Sequence, residues 1–356
     1  MKKKAGVIGL GFIGAAHIEA IRRLGYIELA AVCDIAKQRA DELFVDNYYS
    51  NYQDLINNPD IDVIHNCTPN HMHYEINKMA IEKGKHIFSE KPLSMNAEES
   101  RLLLKALEKS PVYNGVNFNY RAHENVRRMR ENILAGSIGR PYIIHGAYLQ
   151  DWLLFDTDDN WRVDTSLGGA TRALADIGSH WCDMAQNIMD ARITEVFADI
   201  VTFVPERGGK KVYSDDYAAV LLKFENGARG VFRVSQVSAG RKNFLDIEVN
   251  GSKHSLHWNL ENCDKLWIGA RDEDNILGVR NAMTHKEIDN HVSLPPGHTE
   301  GWADGLRNNI ALFYGDIMED KTGGGYATFQ DGHNIMLVIE AIVESHRSKT
   351  WQKVTY

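Results

Sequence analysis

The sequence lacks several features that would assign it to a specialised class of protein. It contains only four cysteines and eight prolines among 356 residues. The cysteines are far apart and form no Cys-X-X-Cys pair, so we predict reduced thiols in a cytoplasmic protein. No stretch approaches the roughly 18 consecutive apolar residues of a membrane span, so we expect no membrane partner. The basic residues 2–4 precede a glycine-rich segment without a cleavage pattern, which indicates a first strand and not a secretion signal.

The sequence also has no excess of positive charge. It holds 40 lysines and arginines against 48 aspartates and glutamates, a formal net charge of -8. Such a balance gives no overall attraction for polyphosphate, so we expect no nucleic acid partner. Hydrophobic residues make up 44% and charged residues 25% of the chain, which is ordinary for a globular protein. Because the length exceeds the usual size of one compact domain, we expect two domains.

Residues 1–122 alternate short apolar runs with amphipathic segments, which is typical of β-α-β units in a parallel sheet. We predict strands at Ala5–Leu10, Ile27–Cys33, Ile61–Cys67, Lys85–Phe88 and Val112–Val116. Apolar residues at helical spacing predict helices at Phe12–Leu24, Ile35–Leu43, His71–Glu82 and Ala97–Lys109. The expected fold class of this first domain is α/β.

Residues 123–356 change the rhythm and predict an α+β domain with a large, mostly antiparallel open sheet. After a helix at Asn125–Leu134, strands are predicted at Arg140–Leu149, Ile193–Val204, Tyr217–Phe224, Ala228–Val237, Phe244–Val249 and Lys253–Trp258. Asn226-Gly227 and Asn250-Gly251 fall between such strands and predict hairpins in an antiparallel meander. Further helices are predicted at Gly168–Asn187, Trp302–Met318 and Ala327–His346, and we expect the last to pack back toward the first domain.

The glycine motif of the first domain lies where the first strand gives way to the first helix. Its residues are Gly9, Leu10, Gly11, Phe12, Ile13 and Gly14. The first glycine permits a tight turn, the second lets a pyrophosphate approach the backbone, and the third lets the helix pack on the strand. This spacing at the start of a β-α-β unit predicts a Rossmann dinucleotide-binding domain.

An acid follows the second strand in the segment Val32-Cys33-Asp34, about 20 residues after the glycines. Asp34 would bind a ribose hydroxyl and repel a 2′-phosphate, and Ile35 follows it where an arginine could have accepted that phosphate. The predicted cofactor is therefore NAD, in preference to NADP. The alternative is that Asp34 only caps the next helix.

Two loops follow strands at the carboxyl edge of the same sheet, where a doubly wound fold binds its cofactor. In Thr68-Pro69-Asn70-His71, we predict contacts to the nicotinamide half, and the alternative is a turn in which Asn70 caps a helix. His71 and His73 face apart on a helix, so we predict no metal site. For Glu90-Lys91-Pro92 the alternative is a surface turn with a salt bridge, which three residues alone would favour.

A polar face is predicted in the second domain, within Asp176-Ile177-Gly178-Ser179-His180-Trp181-Cys182-Asp183. Asp176, His180 and Asp183 stand at positions i, i+4 and i+7 and project from one face of a helix. A carboxylate one turn from an imidazole can orient it for acid-base chemistry. The alternative is a solvated polar stripe, which the neighbouring Trp181 and Met184 disfavour.

These segments together resemble the Gfo/Idh/MocA oxidoreductases, a family that includes inositol dehydrogenases, glucose-fructose oxidoreductase and sugar dehydrogenases such as levoglucosan dehydrogenase. The resemblance covers essentially the whole chain, in the right order. It is carried by the glycine motif with Asp34, Thr68-Pro69-Asn70, Glu90-Lys91-Pro92, Asn119-Tyr120-Arg121, Trp161-Arg162, the Asp176–Asp183 segment and the extended final helix.

The resemblance implies roles for individual side chains. Lys91 would contact both the substrate hydroxyl and the cofactor, and Asp176 and His180 would line the substrate with His180 as acid-base. The remaining cofactor-binding residues would be Thr68, Asn70, His73, Glu90, Asn119, Trp161 and Arg162. The remaining substrate-side candidates are Tyr120, Arg121, Asp183 and His298.

The segment Pro296-Gly297-His298-Thr299-Glu300-Gly301-Trp302 also suits a sugar, because tryptophan stacks on pyranose faces and polar side chains bind hydroxyls. The alternative is an ordinary helix start capped by His298 or Thr299.

We therefore expect an NAD-dependent dehydrogenase that oxidises a secondary hydroxyl of a sugar, glycoside or cyclic polyol to a ketone. Three alternatives remain: an enzyme that cleaves glycosides through a transient ketone, a non-catalytic NAD-sensing regulator of the same fold, and a carbohydrate-binding module. The family resemblance also implies a homodimer or homotetramer that pairs through the open sheet.

Overall fold

The computed structural model of the chain describes residues 2–279, 292–295 and 297–356. The chain divides into two compact units. Unit 1 consists of Met1–Ala122 and Ala303–His333, and unit 2 consists of His123–Trp302 and Asn334–Tyr356. Unit 1 thus includes a segment from the C-terminal part of the chain.

The centre of unit 1 is a parallel sheet of six strands. They are β1 (Lys3–Ile8), β2 (Ile27–Cys33), β3 (Tyr48–Tyr49), β4 (Val63–Asn66), β5 (His86–Ser89) and β6 (Asn114–Val116). Their order is β3-β2-β1-β4-β5-β6, and each neighbouring pair is parallel. The strand order reverses direction between β1 and β4, which creates the crevice where such sheets bind ligands. The predicted Rossmann fold is confirmed.

The helices of this first segment follow the predicted pattern closely. They are α1 (Phe12–Leu24), α2 (Lys37–Glu42), α3 (Tyr52–Asn57), α4 (His73–Glu82) and α5 (Ala97–Lys109). The bounds of α1 and α5 are those predicted, and α4 begins two residues late, after a 3₁₀ turn at Asn70–Met72. Two short elements, β3 and α3, were not predicted.

The elements of unit 2 begin with α6 (Glu124–Leu134), β7 (Pro141–Leu149) and α7 (Thr165–Gly168). A π-helical turn at Leu174–Gly178 leads into α8 (Ser179–Met189). The strands that follow are β8 (Ile193–Val201), β9 (Glu206–Arg207), β10 (Lys210–Lys211), β11 (Tyr217–Phe224), β12 (Arg229–Ser235), β13 (Phe244–Gly251), β14 (His254–Asn259), β15 (Lys265–Ala270) and β16 (Ile276–Val279). The chain ends with α9 (Trp302–Glu319), α10 (Phe329–Ser348) and β17 (Gln352–Lys353).

Nine of the described strands form one sheet in the order β16-β15-β14-β13-β7-β12-β11-β8-β17. The predicted large, mostly antiparallel sheet is confirmed, but the prediction of a simple antiparallel meander is wrong because β7 and β12 pair in parallel. The hairpin predicted at Asn226-Gly227 is present. The second predicted hairpin is also present, because β13 and β14 pair antiparallel, but Asn250-Gly251 ends β13 at a register shift and the turn follows it.

One face of this sheet is covered by α8. Trp181 of α8 stacks on Phe232 of β12 with ring centroids 4.6 Å apart, and its indole nitrogen donates to the carbonyl of Asp246 in β13 at 3.1 Å. A Cβ at Gly146 of β7 would lie 2.8 Å from that indole nitrogen, so the strand needs a glycine there. Trp181 thereby fixes the helix against three strands.

The late segment of unit 1 continues its sheet edge. The backbone nitrogen of Val116 donates to the carbonyl of Ala327 at 2.8 Å, and the nitrogen of Phe329 donates to Asn114 Oδ1 at 2.8 Å. These bonds attach the start of α10 to β6. None of the described helices is both long and apolar enough to cross a membrane.

Candidate functional site

The glycine turn of unit 1 contains two glycines that the fold requires and one that faces open space. Gly9 has φ of +89°, and a Cβ there would lie 2.6 Å from the carbonyl oxygen of Cys67. A Cβ at Gly14 would lie 1.9 Å from the carbonyl oxygen of Gly9. At Gly11 the nearest atom would be Arg39 Nη1, at 3.7 Å. The protein itself therefore requires Gly9 and Gly14, whereas Gly11 leaves room for a ligand.

The N-terminus of α1 faces this turn and can hold an anion. Gly11 is its N-cap, so no side chain caps the helix, and no acidic residue lies in its first turn. The partial positive charge of the helix end is thus not offset by the protein. This arrangement fits the pyrophosphate of a dinucleotide.

Asp34 lies beside the turn and is nearly buried. Its Oδ2 accepts a hydrogen bond from the backbone nitrogen of Leu10 at 2.7 Å, and its Oδ1 accepts one from Ala36 at 3.0 Å. The alternative that Asp34 caps the next helix is wrong, because the N-cap of α2 is Ala36. Asp34 instead joins the glycine turn to the end of β2, the position from which an acid reaches a ribose.

The glycine turn and the end of β2 carry two exposed apolar side chains, and one arginine lies near Asp34. Phe12 is 79% exposed and Ile35 is 97% exposed. The guanidinium of Arg39 lies 4.0 Å from the Asp34 carboxylate. Arg39 was not predicted from the sequence as a site residue, although it lies in the helix that follows Asp34. Apolar side chains at a cleft edge suit the flat rings of a dinucleotide.

The loop after β4 is held by side-chain hydrogen bonds to Asn66 and Asn77. Thr68 Oγ1 donates to Asn66 Oδ1 at 2.7 Å, and Asn66 Nδ2 donates to Asn77 Oδ1 at 2.8 Å. Asn70 is buried at the start of the 3₁₀ turn. The alternative that Asn70 caps a helix is wrong, because the cap positions are Pro69 and Met72.

His73 connects the two loops at the carboxyl edge of the sheet. Its Nδ1 lies 2.7 Å from the carbonyl oxygen of Pro92, and its Nε2 lies 2.8 Å from that of Thr68. Burial lowers the pKa of His73, although both carbonyls act to raise it. Both ring nitrogens are engaged by the protein, so His73 holds the two loops at a fixed spacing.

The Glu90-Lys91-Pro92 corner is anchored in the interior. Glu90 is buried, so the alternative of a surface turn is wrong. Its Oε1 accepts hydrogen bonds from His17 at 3.1 Å and from Asn117 at 2.5 Å. Burial raises the pKa of Glu90, but His17, the charge of Lys91 and the Asn117 amide outweigh it and lower the pKa to about 2. Lys91, half-buried, follows this anchored carboxylate.

The 3₁₀ turn Asn119–Ala122 carries the next predicted residues. Asn119, Tyr120 and Arg121 are all buried. Arg121 Nη2 lies 3.4 Å from Asp331 Oδ1 of α10. Burial raises the pKa of Asp331, but Arg121 and Thr328 together lower it by more, so the net shift of the pKa is downward. Arg121 therefore attaches the turn to α10.

In unit 2, Asp176 lies in the π-helical turn and is held by two neighbours. Its Oδ2 accepts a hydrogen bond from Gln236 Nε2 at 2.8 Å, and its Oδ1 lies 3.4 Å from Arg162 Nε. The Arg162 guanidinium in turn lies over the Trp161 ring, 4.4 Å from its centroid. The predicted residues Trp161, Arg162 and Asp176 thus form one group.

His180 and Asp183 lie in the first turns of α8 and are both buried, so the alternative of a solvated stripe is wrong. The ring of His180 lies 6.3 Å from that of Tyr148. The helix predicted over Gly168–Asn187 is wrong in its first part, because residues 169–172 are not helical. The turn that carries Asp176 is π-helical, a feature often found at functional sites.

A buried ion group that the sequence analysis missed fixes the start of the π turn. Asp216 pairs with Arg172 and, at 3.1 Å, with Arg207. Asp215 accepts hydrogen bonds from the backbone nitrogens of Arg172 and Leu174. Because the aspartates are adjacent in sequence at the start of β11, the sheet directly positions the segment that carries Asp176 and His180.

His298 lies elsewhere in the chain and is exposed. Its Nδ1 lies 3.3 Å from the carbonyl oxygen of Pro295, while Pro296 falls outside the described residues. Glu300 accepts hydrogen bonds from both the nitrogen and the hydroxyl of Ser293. Among the described ranges, no group of His, Cys, Asp and Glu has the arrangement of a metal site.

Comparison with known proteins agrees with the geometry of both units. Residues 3–118 match the model of an oxidoreductase family with an NAD-binding Rossmann fold, and residues 126–257 match that of the GFO/IDH/MocA C-terminal domain. Levoglucosan dehydrogenase of Pseudarthrobacter phenanthrenivorans is 32% identical, and the match covers 98% of this chain and 97% of that protein. Myo-inositol 2-dehydrogenase of Thermotoga maritima is also 32% identical, over 78% and 80% of the two chains.

Solved structures extend the likeness to three dimensions. A levoglucosan dehydrogenase in complex with NADH and levoglucosan superposes with a TM-score of 0.93, at 29% identity and full coverage of both chains. An inositol dehydrogenase homologue from Azotobacter vinelandii, in complex with NAD+, has a TM-score of 0.90, at 25% identity over 99% and 97% of the chains. The resemblance and the cofactor predicted from the motifs are confirmed, and the chain belongs to the Gfo/Idh/MocA family of NAD-binding oxidoreductases.

Proposed function

We propose that this enzyme oxidises a secondary hydroxyl of a sugar, glycoside or cyclic polyol to a ketone. Bound NAD supplies the hydride acceptor, which is the difficult part of the chemistry. His180 takes the hydroxyl proton, the Lys91 ammonium polarises the hydroxyl oxygen, and Asp176 orients the substrate and the imidazole. The carbon loses a hydride and the oxygen loses a proton, so the products are a ketone, NADH and a proton.

The observation that carries the proposal is the anchoring of Lys91. The corner before it is fixed by Glu90, which the interior holds as a carboxylate, and the corner after it is fixed by Pro92, whose carbonyl binds His73. A lysine whose neighbours are held on both sides extends from a fixed backbone position at the carboxyl edge of the sheet. A surface lysine with no catalytic role needs no such support.

The second support comes from the side chains around Asp176. Gln236 and Arg162 both hold its carboxylate, and α8 places His180 one turn further along. An acid-base residue needs a fixed orientation, and the buried contacts of α8 supply it. We propose that Arg162 also lies close to the cofactor, as the family resemblance implies.

The dehydrogenase is favoured over the alternatives by the names of the relatives. Relatives with a named activity include dehydrogenases of levoglucosan, inositol and glucose 6-phosphate. These compounds share a ring with several secondary hydroxyls, so we propose a substrate of that class. A glycoside-cleaving enzyme, an NAD-sensing regulator and a carbohydrate-binding module have no such support.

We also propose that the enzyme is a homodimer or homotetramer. Ile143, Val231 and Leu221 lie on the sheet face opposite α8, on the neighbouring strands β7, β12 and β11, and are 46%, 43% and 45% exposed. A second copy would cover this apolar surface. Sedimentation of wild type and Leu221→Glu tests the idea. A monomeric wild type would overturn it.

One experiment tests the reaction. The protein is incubated with NAD and a panel of anhydrosugars, pyranoses, inositols and glycosides at mildly alkaline pH, and absorbance at the NADH band is followed. We expect turnover of at least one ring polyol or sugar, with recovery of the matching ketone. Release of free sugar from a glycoside without NADH would favour the glycoside-cleaving alternative, and no NADH with any compound would favour the regulator.

A further inference from the structure

Unit 1 contains a chain of buried polar side chains behind the lysine corner that the proposed reaction does not use. Glu90 Oε1 lies 3.1 Å from His17 Nε2, His17 Nδ1 lies 3.0 Å from His65 Nδ1, and His65 Nε2 lies 2.9 Å from the Tyr314 hydroxyl. His17, His65 and Tyr314 have no exposed surface at all. Uncharged apolar side chains would fill such a space at lower cost.

The members of this hydrogen-bonded chain come from three elements and one loop. His17 belongs to α1, His65 to β4 and Tyr314 to α9, while Glu90 follows β5. The helix α1 also begins at the glycine turn. The chain therefore connects the helix that faces the cofactor phosphates with the corner that carries Lys91.

A second arm reaches Glu90 from the other side. Asn117 Nδ2 donates to Glu90 Oε1 at 2.5 Å, and Asn309 Nδ2 donates to Asn117 Oδ1 at 3.1 Å. The backbone nitrogen of Lys91 donates to Glu90 Oε2 at 3.2 Å. Both oxygens of the buried carboxylate therefore have donors, which is the condition for a charge to persist inside a protein.

The protonation states give the chain a direction. Burial lowers the pKa of His65 far below its usual value and raises that of Tyr314, so both are neutral. A neutral imidazole has one N–H and one lone pair. His65 must therefore donate to one neighbour and accept from the other, so its tautomer decides whether His17 Nδ1 accepts or donates.

We propose that His17, His65 and Tyr314 are positioning residues for the dehydrogenation, and that they act through Glu90 to hold the Lys91 corner in place. The inference rests on the proposed function, because it assumes that Lys91 acts on the substrate. A displacement of about 1 Å in a catalytic group costs on the order of 100-fold in rate. Linked hydrogen bonds among side chains of three elements fix the Glu90 carboxylate and so prevent such a displacement.

The test compares variants at position 65. His65→Leu fills the space without polar atoms and removes the partner of His17, whereas the shorter amide of His65→Asn reaches the place of Nδ1. We expect kcat to fall by roughly 10–100-fold in His65→Leu and by less than about 5-fold in His65→Asn, with the Kd for NAD within about 3-fold of wild type in both. The matched control is His86→Leu, at the end of β5 away from Glu90, and it should keep the wild-type kcat.

A double-mutant cycle separates positioning from a general loss of structure. If His65 acts through Glu90, then His65→Leu has no further effect on kcat in the Glu90→Gln protein. Independent, multiplying effects would overturn the inference. Should His65→Leu not fold, Tyr314→Phe removes only one hydroxyl, and we expect a fall in kcat of roughly 3–10-fold. The matched control is Tyr113→Phe, which should keep its kcat. An unchanged kcat in a folded Tyr314→Phe protein would also overturn the inference.

A measurement without substrate distinguishes failure of this inference from failure of the proposed function. In protein labelled with ¹⁵N-histidine, the proton between His17 Nδ1 and His65 Nδ1 should give a downfield resonance that exchanges slowly with solvent. His65→Leu should remove this resonance. Absence of this resonance in wild type would overturn the chain alone. Its presence in a protein with no dehydrogenase activity would overturn the proposed function, and the positioning role with it.

Discussion

The guanidinium of Arg39 lies 4.0 Å from the carboxylate of Asp34. This is the outer limit of an ion pair, and the Arg39 side chain is half exposed. We propose that Asp34 binds the ribose hydroxyl of NAD, because its charge would repel a 2′-phosphate. An arginine is the kind of side chain that binds a 2′-phosphate. Arg39 therefore lies next to an acid whose charge would exclude the same phosphate.

Replacing Asp34 by serine should therefore weaken the preference for NAD. Asp34→Ser removes the repulsive charge and leaves Arg39 able to bind a 2′-phosphate. We expect the ratio of kcat/KM for NADP to that for NAD to rise by about 10–100-fold, which corresponds to roughly 1.4–2.8 kcal/mol. Steady-state kinetics with both cofactors measures it.

The control for this change keeps the serine and removes the arginine. In Asp34→Ser/Arg39→Ala the gain with NADP should disappear, whereas Asp34→Ser/Lys37→Ala, which removes an exposed basic residue of the same helix, should keep it. Equal gains in both double variants would show that Arg39 has no part in cofactor choice.

Alanine at Gly11 and Gly14 should separate cofactor binding from stability. In Gly14→Ala the new Cβ meets the carbonyl oxygen of Gly9 at 1.9 Å, so we expect Tm to fall by roughly 3–10 °C. In Gly11→Ala the nearest atom is 3.7 Å away, so Tm should stay within about 2 °C while the affinity for NAD falls about tenfold or more. Thermal unfolding without cofactor and an NAD titration give both quantities. A large loss of Tm in Gly11→Ala would contradict the account.

Glu90 should contribute to stability only above acidic pH. Its folded pKa is lowered to about 2 from 4.5, so its contribution is complete above about 4.5 and is lost as pH falls toward 2. In urea unfolding, the gap in free energy between wild type and Glu90→Gln should narrow over that range. Glu75→Gln, which changes an exposed carboxylate of α4, should show no such narrowing. A gap that is constant from pH 5 to pH 2 would mean that Glu90 is not held ionised.

Asp216 should be among the most sensitive positions of unit 2. Asp216→Asn leaves Arg172 and Arg207 buried without their shared carboxylate, so we expect a loss of about 3–5 kcal/mol in the free energy of unfolding. Chemical denaturation measures it. Asp199→Asn, an exposed carboxylate of β8, is the control and should change stability by less than about 1 kcal/mol. Similar small losses in both would contradict the assigned role of the ion group.

Much of unit 1 was predictable because its signals are local. The bounds of α1 follow from the glycine turn before it and from Gly25, which ends the helix in a left-handed conformation. Those of α5 follow from Asn96, whose side chain caps the nitrogen of Glu99. The strand β3 and the helix α3 have two and six residues, which is too short for a periodic pattern to appear.

The remaining features depend on contacts between distant parts of the chain. The parallel pairing of β7 with β12 joins strands that no local motif connects. His65 pairs with His17 and Tyr314, and Asp216 pairs with Arg172, across long separations in sequence. The π-helical turn at Asp176 also has no sequence signal in an i, i+4 pattern. The sequence thus predicts the motifs of the site but not the buried groups that support them.

The most direct test of the account is a single-turnover measurement with a substrate deuterated at the carbon that bears the reacting hydroxyl. Wild type should transfer deuterium to the nicotinamide of NAD. Lys91→Ala and His180→Ala should each retain most of the affinity for NAD and slow that transfer by at least about 100-fold. Near wild-type transfer in either variant would contradict the catalytic role proposed for that residue.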